Sequence, residues 1–70
     1  MKPYELSVLI NGELAFTTSA SRLLKVHKRL NRWAIRNGKQ IDKMPDDTVI
    51  EIIYRNLNEI KVEKFTKGEL

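Results

Sequence analysis

Residues 21–37, SRLLKVHKRLNRWAIRN, set the architecture of this chain, because they carry its one helical periodicity and the segments on either side have a period of two. Advanced at about 100° per residue, Leu23, Val26, Leu30 and Ala34 fall on one side of a helix. Arg22, Lys25, Lys28, Arg29, Arg32 and Arg36 fall on the other, within an arc of about 120°. The stretch holds six Lys or Arg and no acid. Thr18, Ser19 and Ser21 offer N-caps, and Gly38 offers a left-handed stop after Asn37. Arg36 and Lys39 suit the negative end of the helix dipole. Arg22 and Lys25 sit at its positive end, where each costs a few tenths of a kcal/mol.

Working outward toward the N-terminus, Tyr4, Leu6 and Val8 alternate with Glu5, Ser7 and Leu9, and Leu14 and Phe16 alternate with Ala15 and Thr17. Asn11-Gly12 between them is a strong hairpin signal. A two-residue loop would set Leu9 against Leu14 and put the two apolar sets on opposite faces. A three-residue loop of Ile10, Asn11 and Gly12, with Gly12 left-handed, instead pairs Val8 with Leu14 and Leu6 with Phe16. The bulged loop is therefore expected, with Glu5, Ser7, Ala15 and Thr17 outward.

Toward the C-terminus, residues 39–47, KQIDKMPDD, read as a connection in which Pro45 and two Asp interrupt regular structure and Ile41 and Met44 tuck under the sheet edge. Residues 48–55, TVIEIIYR, form the most apolar strand; Asn56, Leu57 and Asn58 turn; residues 60–65 form the last strand; and residues 66–70 read as a frayed tail. The expectation is one small domain over residues 1–70, α+β, with a single helix packed across a four-stranded sheet in two layers. Its core should comprise Leu6, Val8, Leu14, Phe16, Leu23, Val26, Leu30, Ala34, Ile50, Ile52, Tyr54, Ile60 and Val62. The connection before Thr48 can reach either end of the sheet, which leaves two arrangements open, strand one beside strand three or beside strand four.

This ββαββ order resembles the β-grasp family of ubiquitin-like and immunoglobulin-binding domains. The resemblance rests on the opening YELSVLINGEL, the single crossing helix ending in Arg-Asn-Gly, and DDTVIEIIYR as a strand after acidic turn residues. It covers most of the chain at the level of element pattern, and it implies binding rather than catalysis. The chain ends Lys67-Gly68-Glu69-Leu70 rather than in the Gly-Gly of a conjugated modifier.

Composition narrows the function classes. The net charge is +4; the helix stretch carries +6, so the remainder sums to −2. There is no Cys, hence neither a disulfide framework nor a thiolate metal site. No run of 18 apolar residues suggests a membrane span, and Pro3 interrupts any secretory h-region; a cytoplasmic setting is expected. His27 has no second His, no Cys and no carboxylate beside it on the helix, so it reads as a residue at the core edge. Asp42, Asp46 and Asp47 lack the spacing of a calcium loop, and three isolated Gly residues make no phosphate-binding loop. No cofactor, metal or catalytic residue is expected.

What remains is binding. Arg22, Lys25, Lys28, Arg29, Arg32, Arg36 and Lys39 offer a rod of cations at the spacing phosphates demand, and mixed-sign pairing, the usual pattern of an exposed helix, is absent. Trp33 lies at the border of the two stripes. It either stacks an unpaired base or an interface, or covers the edge of a small core. The first expectation is a non-enzymatic module that engages nucleic-acid phosphates, DNA or RNA, with weak sequence preference. The second is a protein-binding regulator or inhibitor, of a kind suited to a phage or mobile element, docking on an acidic protein. It would use the same helix, where Leu24 and Ile35 lie together on one flank, or the open face of the sheet, where Leu9, Val49 and Ile53 are left over and which would also suit a homodimer.

Overall fold

The hairpin turn is the two-residue one. In the computed structural model, which describes residues 2–69, Asn11 and Gly12 both have positive φ, 51° and 82°. These are the values a type I′ turn needs and that Asn and Gly adopt at least cost. The strands it joins are β1 (Tyr4–Ile10) and β2 (Glu13–Ala20). Leu9 lies opposite Leu14, not Val8, so the three-residue loop does not form. The phase mismatch that argued for that loop is absorbed further along β2. The register shifts between Val8 and Leu9: Leu9 pairs with Leu14 while Val8 pairs with Phe16, leaving Ala15 as the extra residue of a bulge. Leu6, Val8 and Phe16 thereby share one face, whereas Leu14 stays 63% exposed and leaves the expected core.

The helix α1 (Leu23–Asp42) overruns its expected stop. Gly38 lies inside it with ordinary φ, because an interior Gly costs only about 1 kcal/mol and Ile41 continues the apolar stripe two turns after Trp33. None of the expected caps forms. Thr18 and Ser19 are members of the β2 ladder, and Arg22 takes the cap position in extended conformation without a side-chain cap bond.

After α1 come β3 (Val49–Arg55), β4 (Ile60–Thr66) and a short 3-10 helix (Lys67–Glu69). All strand pairings are antiparallel, in the order β2-β1-β3-β4. The result is the expected α+β architecture, one helix on a four-stranded sheet in two layers. Strand one neighbours strand three. A β-grasp sheet has its first and last strands parallel and adjacent, so the likeness to that family is one of element order and stops at the pairing. Asn11 contributes to the β1–β3 junction as well as to the turn. Its N–H donates to the Val49 carbonyl at 2.8 Å and its Oδ1 accepts from the Val49 N–H at 2.9 Å.

Leu6, Val8, Ala20, Val26 and Ile50 are buried, with Tyr4, Ile10, Phe16, Leu30, Trp33, Ile52 and Phe65 packed around them. Tyr54, also expected in the core, is half-buried and stacks on Tyr4 with ring centroids 6.5 Å apart. Ile60 and Val62 do not join them: they pair with Arg55 and Ile53 on the outer face and are 60% and 56% exposed. Their alternation is in phase with Val49 and Ile53, and β4 sends only Phe65 inward among its apolar residues, opposite Ile50. With Lys61 and Glu63 on that inner side, β4 is a poor seat for a helix. α1 accordingly packs over β2 and β1. Leu23 and Ala34, on the flank turned toward β3, are consequently exposed rather than core. The expected frayed tail is docked as far as Glu69: the Lys67 and Gly68 N–H groups donate to the Thr48 and Asp46 carbonyls, each at 2.9 Å. Leu70 lies outside the described residues.

Two glycines make opposite predictions. Gly12→Ala places a Cβ in the left-handed region and should cost about 1–2 kcal/mol. Gly38→Ala meets nothing within 4 Å and should gain about 0.5–1 kcal/mol through helix propensity. Thermal unfolding should separate them in sign. Leu6→Ala, at a site 2% exposed, should cost about 2–5 kcal/mol, and Val62→Ala less than about 0.5 kcal/mol, by urea titration.

Candidate nucleic-acid interface

The bulge at Ala15 and the offset of α1 together create the site. With Phe16 turned inward on β2 and α1 lying over that strand, the Phe16 and Trp33 rings stack, with centroids 5.4 Å apart and planes 25° from parallel. Trp33 is half-buried, so it does cover the core edge, and it also remains accessible along one side. One turn further on, Asn37 Nδ2 donates to the Trp33 carbonyl at 2.8 Å.

Arg29, Arg32 and Arg36 follow the cationic flank of α1 down to the same place. With Phe16, Thr18 and Trp33 they line a shallow groove of about 280 Å³. Arg29 is anchored there: its Nη1 donates to the Thr18 Oγ1 at 3.2 Å and to the Ser19 carbonyl at 2.7 Å. All three arginines are exposed, and these bonds hold the Arg29 guanidinium at the sheet edge. Lys25, Lys28 and Lys39 extend the positive row along the exposed helix surface without lining the groove, and Arg22 sits at its N-cap. Among the described residues the ion pairs are Lys61–Glu59 and Lys67–Asp46, so no cation of this row is neutralised by a neighbour.

Trp33 also borders a second, larger groove of about 560 Å³ between the C-terminal half of α1 and the β1–β2 turn, whose walls include Ile10, Glu13, Asn37, Gln40 and Met44. A third, of about 510 Å³, lies on the other flank of α1, where the helix leaves β3 and β4 uncovered. It holds Leu23, His27, Ile52 and Tyr54, with Glu59, Lys61 and Glu63 at its rim. The two flanks thus differ in charge: arginines alone on the β2 side, and on the β4 side Glu63 beside the Lys61–Glu59 pair, 3.7 Å apart.

The apolar residues considered for a protein interface lie on two surfaces, one on the helix and one on the sheet. Leu24 and Ile35 project from the exposed side of α1, Ile35 being 82% exposed. Leu9, Val49 and Ile53 lie half-buried on the opposite face of the sheet, where Ile60 and Val62 extend the apolar surface. Phe16, Thr18 and Asn37 were missing from the sequence reading of the site. Asn37 is recoverable from its i+4 spacing to Trp33, but Phe16 depends on the bulge. Among the described residues no group of three or more His, Cys, Asp or Glu converges on a metal position, and no helix is long and apolar enough to cross a membrane.

Comparison with known proteins finds no match: no family model, no curated protein and no solved structure is significantly similar to this chain.

The anchored arginine differs measurably from its neighbours. Arg29→Met should lower stability by about 1 kcal/mol through loss of two hydrogen bonds. Arg32→Met and Arg36→Met should stay within about 0.5 kcal/mol of the parent, by urea titration.

Proposed function

We propose that this chain is a small non-enzymatic binding module that engages nucleic-acid phosphates through the basic face of α1. One observation carries the reading: an unmixed row of cations along the helix, none neutralised within the described protein, that ends on an arginine-lined groove beside two stacked rings. Like charges on one helix face repel one another by a few tenths of a kcal/mol per i,i+4 pair. Lys25–Arg29–Arg36 and Lys28–Arg32–Arg36–Lys39 contain several such spacings. A polyanion relieves that repulsion and releases its own counterions in the same event. Long flexible cations meet phosphates rather than base edges, so sequence preference is weak.

A second reading has its own support in the outer sheet face, where exposed Ile60 and Val62 adjoin Ile53. That surface suits a protein contact or a second copy of the chain. Its test is sedimentation: Ile53→Lys should abolish self-association if the sheet face carries it, and a chain that stays monomeric at all concentrations removes the homodimer.

The nucleic-acid reading is tested by fluorescence anisotropy against duplex and single-stranded DNA and RNA. Three to five phosphate contacts should reduce affinity about 20- to 500-fold between 50 and 200 mM salt. Lys25→Glu, Arg32→Glu and Arg36→Glu should each weaken binding with the fold intact by circular dichroism. Absence of binding to every probe at low salt excludes this function.

A further inference from the structure

Resting on that reading, we infer that the preferred ligand is single-stranded nucleic acid, with its phosphates along Arg29, Arg32 and Arg36 and an unpaired base seated against Trp33. The indole is the wall between two grooves of different chemistry. On one side lies the arginine groove; on the other, the larger groove offers apolar surface from Ile10 and Met44 together with the Gln40 amide and the Glu13 carboxylate. Its volume, about 560 Å³, falls within the roughly 300–1,000 Å³ of small-ligand sites. A nucleotide has this same division. Its charge is on the phosphate, and its base is a flat apolar body with polar edges.

Glu13 strengthens the assignment. A carboxylate beside the backbone path would repel phosphate, but here it lines the side that the base would occupy, where it can accept from an exocyclic amino group such as that of cytosine. Gln40 can both donate and accept. Asn37 has its Nδ2 committed to the Trp33 carbonyl, which leaves its Oδ1 as an acceptor.

A duplex cannot use this arrangement. Its bases are held inside the stack, and its rigid outer surface would meet the ridge of α1 rather than the grooves beside it. A single strand is flexible enough to follow the flank of the helix. β2 is an edge strand, so no further strand of the sheet lies beyond it in the path. The opposite flank offers no comparable row of free cations: Lys61 is there paired to Glu59, and Glu63 stands beside them.

Trp33 is the sole tryptophan, so its fluorescence reports the proposed contact in the unaltered protein. Four probes of equal length decide the matter: a deoxycytidine dodecamer, a cytidine dodecamer, a deoxycytidine dodecamer with its bases replaced by abasic sites, and the deoxycytidine dodecamer annealed to its complement. The base-bearing single strand should quench Trp33 and bind more tightly than the duplex. The abasic strand, with the same phosphates, should bind about 5- to 150-fold more weakly, the effect of losing one stacked base. Trp33→Leu should show a loss of that order; if this variant fails to fold, the abasic comparison on the parent protein stands alone. Quenching and preference with either sugar support the inference, and the tighter probe names DNA or RNA as the source. Abasic and base-bearing strands binding equally, or a duplex binding as tightly as the single strand, would overturn it while leaving phosphate binding in place. No binding to any probe at about 50 mM salt, where phosphate contacts are strong, would overturn both.

Discussion

One extra residue in β2 decides which way Phe16 points, and the rest of the molecule follows from it. The Asn11-Gly12 turn requires positive φ at both positions and fixes a two-residue loop. That loop, continued without interruption, would turn Phe16 and Thr18 outward and leave Val8 facing Ala15 and Leu6 facing Thr17. Ala15, inserted as a bulge, restores the phase. Phe16 then lies on the inner face, Trp33 stacks on it, and α1 is drawn over β2 and β1 rather than over the centre of the sheet. The turn alone does not determine the fold, and neither does the apolar pattern. The bulge is the local concession that satisfies both.

The offset of α1 distributes the chemistry of the surface. A helix centred on the sheet would have covered Ile52 and Tyr54 and pointed its cations at solvent. Seated toward β2, it brings Arg29 within hydrogen-bonding reach of Thr18 and Ser19, and it leaves an apolar trough over β3 and β4. β4 explains the asymmetry. Lys61 and Glu63 occupy its inward positions, and burying them beneath a helix would strip both charges of water, which is expensive even where an ion pair such as Lys61–Glu59 is kept.

How much of this was legible in the sequence depends on the range of the interaction involved. The order of elements, the two layers, the apolar stripe through Val26 and Leu30, and the border position of Trp33 are local properties of periodicity, and the residues display them directly. Parity does not fix the loop length, because a bulge a few residues away satisfies it as well as the turn does, and nothing in Leu14, Ala15 and Phe16 marks where the bulge falls. The outward position of Ile60 and Val62 is hidden for a related reason. Their alternation is plain, but its phase relative to β3 is set by pairing across the Asn56–Glu59 turn. There the Asn56 Oδ1 accepts from both the Asn58 and Glu59 N–H groups. Gly38 failed as a stop because the apolar period continues through Ile41, and a single Gly is too weak to oppose tertiary packing. Of the candidate site, the cationic face was readable as a list of residues on one arc. Its convergence on an aromatic pair was not, because that needs the strand register as well.

The charge pattern and the packing constrain each other. A domain of this size has little stability to spare, yet α1 carries Lys25 in a first turn that holds no acid, and Arg29, Arg32 and Arg36 with no ion pair among the described residues. Screening by salt softens such terms, so their sum is tolerable rather than fatal. Packing alone gives no reason for their uniform sign: a glutamate one turn away from any of them would help the isolated helix. The positions that packing does dictate, Val26, Leu30 and Trp33, occupy a narrow stripe, and the cations begin where that stripe ends. On the flank toward β4 the same helix presents Leu23, His27 and Ala34 and no cation. The positive charge therefore runs along the exposed surface of the helix and reaches, through Arg29, Arg32 and Arg36, the flank on which the aromatic pair is open, and that meeting of charge with stacking surface, rather than basicity as such, distinguishes this helix from an ordinary solvated one.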